Sequence, residues 1–260
     1  MHFTDSHCHL ADPALRCRLP EVLAQAAGQG VTRFIVPATQ RSDWTDVVQL
    51  LAMNTSSEQR IHIALGIHPW FAEAATPRDF AGLEHLLLQY PQAWVGETGL
   101  DFLVNRPSER QKQQQIDAFC RHLALAQKLA RPVIVHNVKA TAAIAEAVKQ
   151  TGFSQGGIAH AFSGSVEEAQ ILLRCGFKIG IGSLLLNPKA KKVRQVAAQL
   201  VWQDMVLETD SPFMLHHQTN TPANIRRIAE IAAELSGVDL AEIARHTENN
   251  IDSLLNAAPA

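Results

Sequence analysis

The chain has 260 residues, 47% of them hydrophobic and 18% charged, with a formal net charge of -2 at pH 7. That composition excludes a disordered or fibrous chain. It also supplies no general basic field, so a nucleic-acid substrate would have to be gripped locally rather than through many phosphate contacts.

In chain order, short β-rich runs alternate with longer stretches of helical apolar spacing. The predicted strands are Phe3–His7, Arg33–Pro37, His62–Gly66, Ala93–Glu97, Pro132–His136, Gly157–His160, Phe177–Ile181 and Met205–Glu208. Most are short apolar runs, as strands covered on both faces should be. The helical stretches are Leu19–Gln29, Asp43–Asn54, Asp79–Tyr90, Glu109–Ala130, Thr141–Thr151, Val166–Cys175, Ala190–Leu200 and Pro222–Ser236, followed by Leu240–Asn256. Eight βα pairs match the roughly 250 residues of a TIM barrel. The expectation is an α/β fold, a single (β/α)8 TIM barrel domain over residues 1–260 with an extra C-terminal helix. An open doubly wound sheet gives the same alternation, but eight repeats in this length favour closure. Gly180 and Gly182 lack the third glycine and the acidic residue of a dinucleotide loop.

Cys8, Cys17, Cys120 and Cys175 form no C-x-x-C pair, which suggests reduced thiols rather than a disulfide framework or zinc ribbon. Neither a signal-peptide pattern nor an apolar run of membrane-spanning length is present. A soluble, cytoplasmic protein is expected, with no membrane association and no obligate protein partner.

His7 and His9, on one side of an extended strand end, would make half a metal site. Read alone, such a pair is as well explained by hydrogen-bonded core histidines. The other strand ends decide the matter: Glu97, His136 and His160 each terminate an apolar run, and Met205-Val206-Leu207 leads into Glu208-Thr209-Asp210. In a TIM barrel these ends meet at one mouth. Four imidazoles and two carboxylates (His7, His9, Glu97, His136, His160 and Asp210) suit two divalent cations. Glu97 best fits the bridging role, because a carboxylate offers one oxygen to each ion. Imidazole ligation suits zinc, while carboxylates and phosphate chemistry admit magnesium or manganese.

The runs Asp5-Ser6-His7-Cys8-His9-Leu10, Gly66-Ile67-His68-Pro69, Gly96-Glu97-Thr98-Gly99-Leu100-Asp101, Pro132-Val133-Ile134-Val135-His136, His160-Ala161-Phe162-Ser163-Gly164 and Glu208-Thr209-Asp210-Ser211-Pro212 occur in this order. In them the chain resembles, over nearly its whole length, the TatD family of metal-dependent hydrolases in the amidohydrolase-like superfamily. The resemblance implies a TIM barrel, a divalent-metal centre using the six residues above, and hydrolysis that in several members acts on nucleic-acid ends. Two positions depart from the family pattern. Val138 stands where an arginine is common, with Lys139 beside it, and Ala161 stands where many relatives carry glycine or cysteine.

The expected reaction is hydrolysis of a phosphodiester through a metal-activated hydroxide, on single-stranded DNA or RNA ends or on a small phosphoester. Asp210 would take the proton of the attacking water and later protonate the leaving oxygen. An amide or ester hydrolase of deacylase type is the alternative, since the same nucleophile attacks a carbonyl. A metal-binding protein with little catalysis has no use for Asp210. Substrate contacts are assigned to His68, held at the rim before Pro69, to Asp101, and to Lys189 in the basic segment Asn187–Arg194. Asp101 also reads as a cap on the following loop, and Lys191, Lys192 and Arg194 as a solvated helix face. Asn220 and Pro222 resemble the family's loop after the eighth strand, with a cap on the next helix as the alternative, and His216 and His217 read as loop histidines.

Overall fold

The computed structural model describes residues 1–54 and 59–257. Its strands are β1 (Phe3–Asp5), β2 (Val31–Pro37), β3 (Arg60–Leu65), β4 (Trp94–Asp101), β5 (Val133–Val138), β6 (Gly157–Ala159), β7 (Phe177–Ile181) and β8 (Met205–Leu207). They form one eight-stranded sheet in chain order, with parallel neighbours throughout. The Ser6 N–H donates to the Leu207 carbonyl at 2.9 Å, bringing the end of β1 against β8. The sheet thus curls into a nearly closed TIM barrel, with helices covering its outer face.

Period-two alternation sorts the strand side chains into two cores. Phe34, Val36, Val133 and Val135 face the helices. Ile35, Ala64, Trp94, Ile134, Ile158 and Val206 fill the barrel interior, where Ile251 and Leu254 of the C-terminal helix Leu240–Ala257 join them. That helix sits at the N-terminal ends of the strands. Asn250 Nδ2 donates to the Trp202 and Met205 carbonyls at 2.9 and 2.7 Å. Arg33 binds Glu248 and Asp252 at 2.5 and 2.6 Å.

At the other end of the barrel, the inward face changes chemistry along the same alternation. Two residues beyond Ile134, Ile158 and Val206 stand His136, His160 and Glu208. In β4 the parity is set by a bulge. Val95 pairs with Val133 and Thr98 with Val135, so β4 carries one extra residue in that interval. Trp94 faces inward before the bulge, and Glu97 and Asp101 face inward after it. Gly99, at φ +131°, pairs with His136, where any Cβ would overlap the His136 carbonyl.

Helix starts follow local caps. Thr76 with Asp79, Ser108 with Gln111, and Ser165 with Glu168 form capping boxes ahead of the helices Pro77–Gln89, Glu109–Leu129 and Val166–Arg174. The first of these therefore begins two residues earlier than expected. The stretch expected as one helix over Asp43–Asn54 divides into an α-helix, Trp44–Gln49, and a 3-10 turn, Leu50–Met53.

Strand ends also differ from expectation: β3, β6 and β8 each stop one residue early, at Leu65, Ala159 and Leu207, and three others differ by more. β1 stops at Asp5, because the Asp5 carboxylate accepts from the His7 and Thr209 N–H groups at 3.3 and 3.0 Å, in place of ladder bonds. His7 and His9 thus lie on the segment after the strand. Glu97 does not end its strand, because β4 and β5 remain paired through Leu100–Asn137 and Asp101–Val138.

Candidate metal centre

The segment after β1 is bridged on both sides, with Cys8 N–H donating to Ile35 and Asp210 N–H to the His7 carbonyl at 3.2 and 2.8 Å. Cys8 is buried, while the His7 and His9 rings turn toward the barrel axis and bring their Nε2 atoms to 3.2 Å. His136 Nδ1 lies 3.3 Å from His160 Nε2 and 3.2 Å from His68 Nε2. Ligand nitrogens on a tetrahedral zinc at about 2.05 Å are about 3.3 Å apart. The imidazole spacings therefore match a coordination shell.

Glu97 stands at the middle of this cluster, buried, and its two oxygens face different ring sets. Oε2 lies 3.3 and 3.8 Å from Nε2 of His7 and His9. Oε1 lies 2.8, 3.1 and 3.2 Å from His160, His136 and His68. Asp210 Oδ1 closes the first set, 3.2 Å from His9 and 3.6 Å from His7. Three groupings among the described residues could hold an ion: His7, His9 and Glu97; His7, His160 and Asp210; and His68, Glu97 and His136.

Electrostatics follow from this crowding. Burial raises the Glu97 carboxyl, but the surrounding imidazoles of His160, His68 and His7 outweigh it and hold the group well below the carboxylate range. Burial, with His160 alongside, pulls His7 down to about 4, so its ring is neutral and able to ligate. His136 moves the other way, to about 9, because the hydrogen bonds to Asp101 and Glu97 overcome burial.

Among relatives with known sequences, the uncharacterised metal-dependent hydrolase YjjV of Escherichia coli K12 is 32% identical over 260 residues, covering 98% of each chain. Its crystal structure superposes with a TM-score of 0.89 over 98% of both chains. A family model described as TatD related DNase matches residues 4–256. The chain belongs to the TatD family. It is a metal-dependent hydrolase built on a TIM barrel. The uncharacterised metal-dependent hydrolase YabD of Bacillus subtilis is 30% identical, covering 96% of this chain and 97% of that one. The 3'-5' ssDNA/RNA exonuclease TatD of Edwardsiella piscicida is 29% identical, covering 92% and 94%.

In this TatD-family barrel, His7, His9, Glu97, His136, His160 and Asp210 all meet at the centre, and His68 joins them. Asp101 lies behind His136. Its Oδ2 is 3.2 Å from His136 Nε2 and accepts from Trp70 Nε1 at 2.9 Å, while Oδ1 accepts the Leu103 and Val104 N–H groups. The carboxylate assigned to substrate contact or to a loop cap thus holds the following loop by Oδ1 and faces His136 and Trp70 by Oδ2. Lys189 is exposed on the loop after β7, outside the hydrogen-bonded cluster. Val138 ends β5 opposite Asp101.

Several supporting residues of the TatD centre make contacts that the sequence read alone does not show. Asp5 clasps Thr209 through both its N–H and its hydroxyl, the latter at 2.6 Å. Glu208 accepts from the Ala161 N–H beside His160. Asn220 is fully buried, and its Nδ2 lies 2.9 Å from Ser183 Oγ and from the Thr209 and Phe213 carbonyls. His122, on the helix Glu109–Leu129, accepts the Ile67 N–H at 3.1 Å and donates to the Ala118 carbonyl at 2.7 Å, fixing the approach to His68.

Proposed function

We propose that this chain hydrolyses phosphodiesters at single-stranded DNA or RNA ends, with two divalent cations held across Glu97. The observation that carries this reading is the division of the Glu97 oxygens. Oε2 faces His7 and His9, with Asp210 alongside, and Oε1 faces His136 and His160. Bound there, divalent cations supply Lewis acidity and lower the pKa of water.

The protein groups divide the remaining work. Asp210 keeps a side chain 14% exposed against 3% for Glu97, so it is the carboxylate within reach of an incoming water and serves as the base. The His68 Nδ1 accepts the Trp70 N–H at 3.2 Å, which leaves the ring proton on Nε2. In that tautomer His68 offers its single N–H to Glu97 or, once Glu97 is engaged by an ion, to a substrate oxygen. Asp101 holds His136 by Nε2 and leaves Nδ1 for the cation.

The exonuclease named among the relatives supports nucleic acid as the substrate class. The barrel and its C-terminal helix act as one domain, and the free cysteines among the described residues support work in the cytoplasm. No helix among those residues is long and apolar enough to cross a membrane. The test is metal analysis of the purified protein with parallel assays on short single-stranded DNA, RNA, a small phosphodiester and an acyl ester. Cleavage of the oligonucleotides, abolished by chelator and restored by a divalent cation, is expected. Turnover of the acyl ester alone would reject the reading.

A further inference from the structure

Five of the nine exposed large hydrophobic side chains among the described residues stand on the loops that surround the metal centre. These are Trp70 after β3, Leu103 and Val104 after β4, and Phe213 and Met214 after β8. Exposed apolar surface gathered at one mouth marks a binding site.

Two of these side chains are aromatic and end a row of rings. The Trp70 centroid is 6.4 Å from His136, which is 5.3 Å from His160. His160 stacks on His7 at 3.8 Å, His7 meets His9 at 4.9 Å, and His9 meets Phe213 at 5.5 Å. The imidazole cluster is thus bracketed by an indole 55% exposed and a phenyl ring 51% exposed.

Neither ring stands on an untethered segment. The Trp70 indole N–H is tied to the buried Asp101 carboxylate at 2.9 Å. Around Phe213, the N–H donates to the Asp210 carbonyl and its own carbonyl accepts from the buried Asn220, both at 2.9 Å. An indole held by its own N–H and a phenyl ring on a hydrogen-bonded loop, both presented to solvent, are preorganised for a planar partner. Charge points the same way, because a chain of net charge -2 with Val138 in β5 cannot draw its affinity from many phosphate contacts.

We propose that Trp70 and Phe213 are stacking platforms for unpaired bases flanking the phosphodiester seated at the metal centre. This rests on the nuclease reading above and makes it specific. The substrate must be single-stranded, since paired bases already stack on one another, and recognition is indifferent to base identity because every base offers a π-face. A stacked base contributes roughly 5- to 150-fold in affinity.

The test compares a short oligothymidylate with the same strand carrying abasic sugars at its two terminal positions at both ends, using metal-loaded protein. Wild type should show a KM about 20-fold or more higher on the abasic strand. F213A should narrow that gap severalfold, F213W should restore it, and W70F, which keeps a ring but loses the bond to Asp101, should retain it.

A readout independent of turnover is available in fluorescence. Of the four tryptophans, Trp44, Trp94 and Trp202 are buried. Quenching by a phosphorothioate oligothymidylate should therefore report Trp70 and be weak with the abasic strand. Equal KM on both strands, or full discrimination by F213A, overturns the proposal and leaves the nuclease reading standing. No cleavage of either strand overturns both.

Discussion

Asp210 and His122 show how single side chains divide between chemistry and support. Asp210 touches both rings of the first set and reaches solvent, whereas Glu97 does not. Asp210→Asn should lower kcat by about 10²- to 10⁴-fold. Ion content, measured on dialysed protein, should stay close to wild type, because His7, His9, Glu97, His136 and His160 remain. Parallel loss of ions and turnover would deny Asp210 its role as base. His122 is buried and bonded at both nitrogens, and burial lowers it to about 4 from an ordinary value of 6.5. The unfolded chain therefore takes up this proton first as pH falls. The stability the neutral ring contributes is complete above about 6.5 and is lost as pH falls from there toward 4. In metal-free protein, His122→Gln should flatten the slope of unfolding free energy against pH in that window. An unchanged slope would show that other groups set it.

At the scale of elements, several strands form a short ramp whose lower residues pack the barrel and whose upper end leads into the candidate site. Five of the eight predicted strands lead into ionisable groups, a pattern visible in the sequence because strands buried on both faces must be apolar and the change to His, Glu or Asp is abrupt. The parity of β4 is not visible. The bulge that turns Glu97 inward arises from pairing with β5, which no single run encodes. The C-terminal helix is legible as a helix, but not as the plug of the barrel floor. Its Asn250 satisfies the carbonyls of Trp202 and Met205, so Asn250→Leu strands two buried acceptors. A loss of about 2–3 kcal/mol is expected in urea unfolding. The slope should be unchanged, and kcat of the folded fraction should hold, since this helix lies at the opposite end from the metal centre.

The whole molecule couples its fold to its ions. Crowding the imidazole nitrogens of His7 and His9 to 3.2 Å and of His136 and His160 to 3.3 Å around one carboxylate is unfavourable without a cation to offset it. An ion bound only by the folded state stabilises it by about 2.7 kcal/mol at one hundred times its Kd. For a chain of this size that corresponds to a melting temperature raised by roughly 5–10 °C. Calorimetry with and without chelator measures this directly, and coincident transitions would contradict a shared centre.

What the sequence determined by itself was the barrel, the approximate places of its eight strands and the residue types gathered at its mouth, because burial periodicity and side-chain chemistry are local properties. What only the tertiary structure decided was the division of Glu97 between two ring sets and the clasp of Asp5 on Thr209, 204 residues away. It also decided that Trp70 and Phe213 stand at either end of one row of rings. These features depend on distances between residues remote in the chain, and closure of the barrel sets those distances.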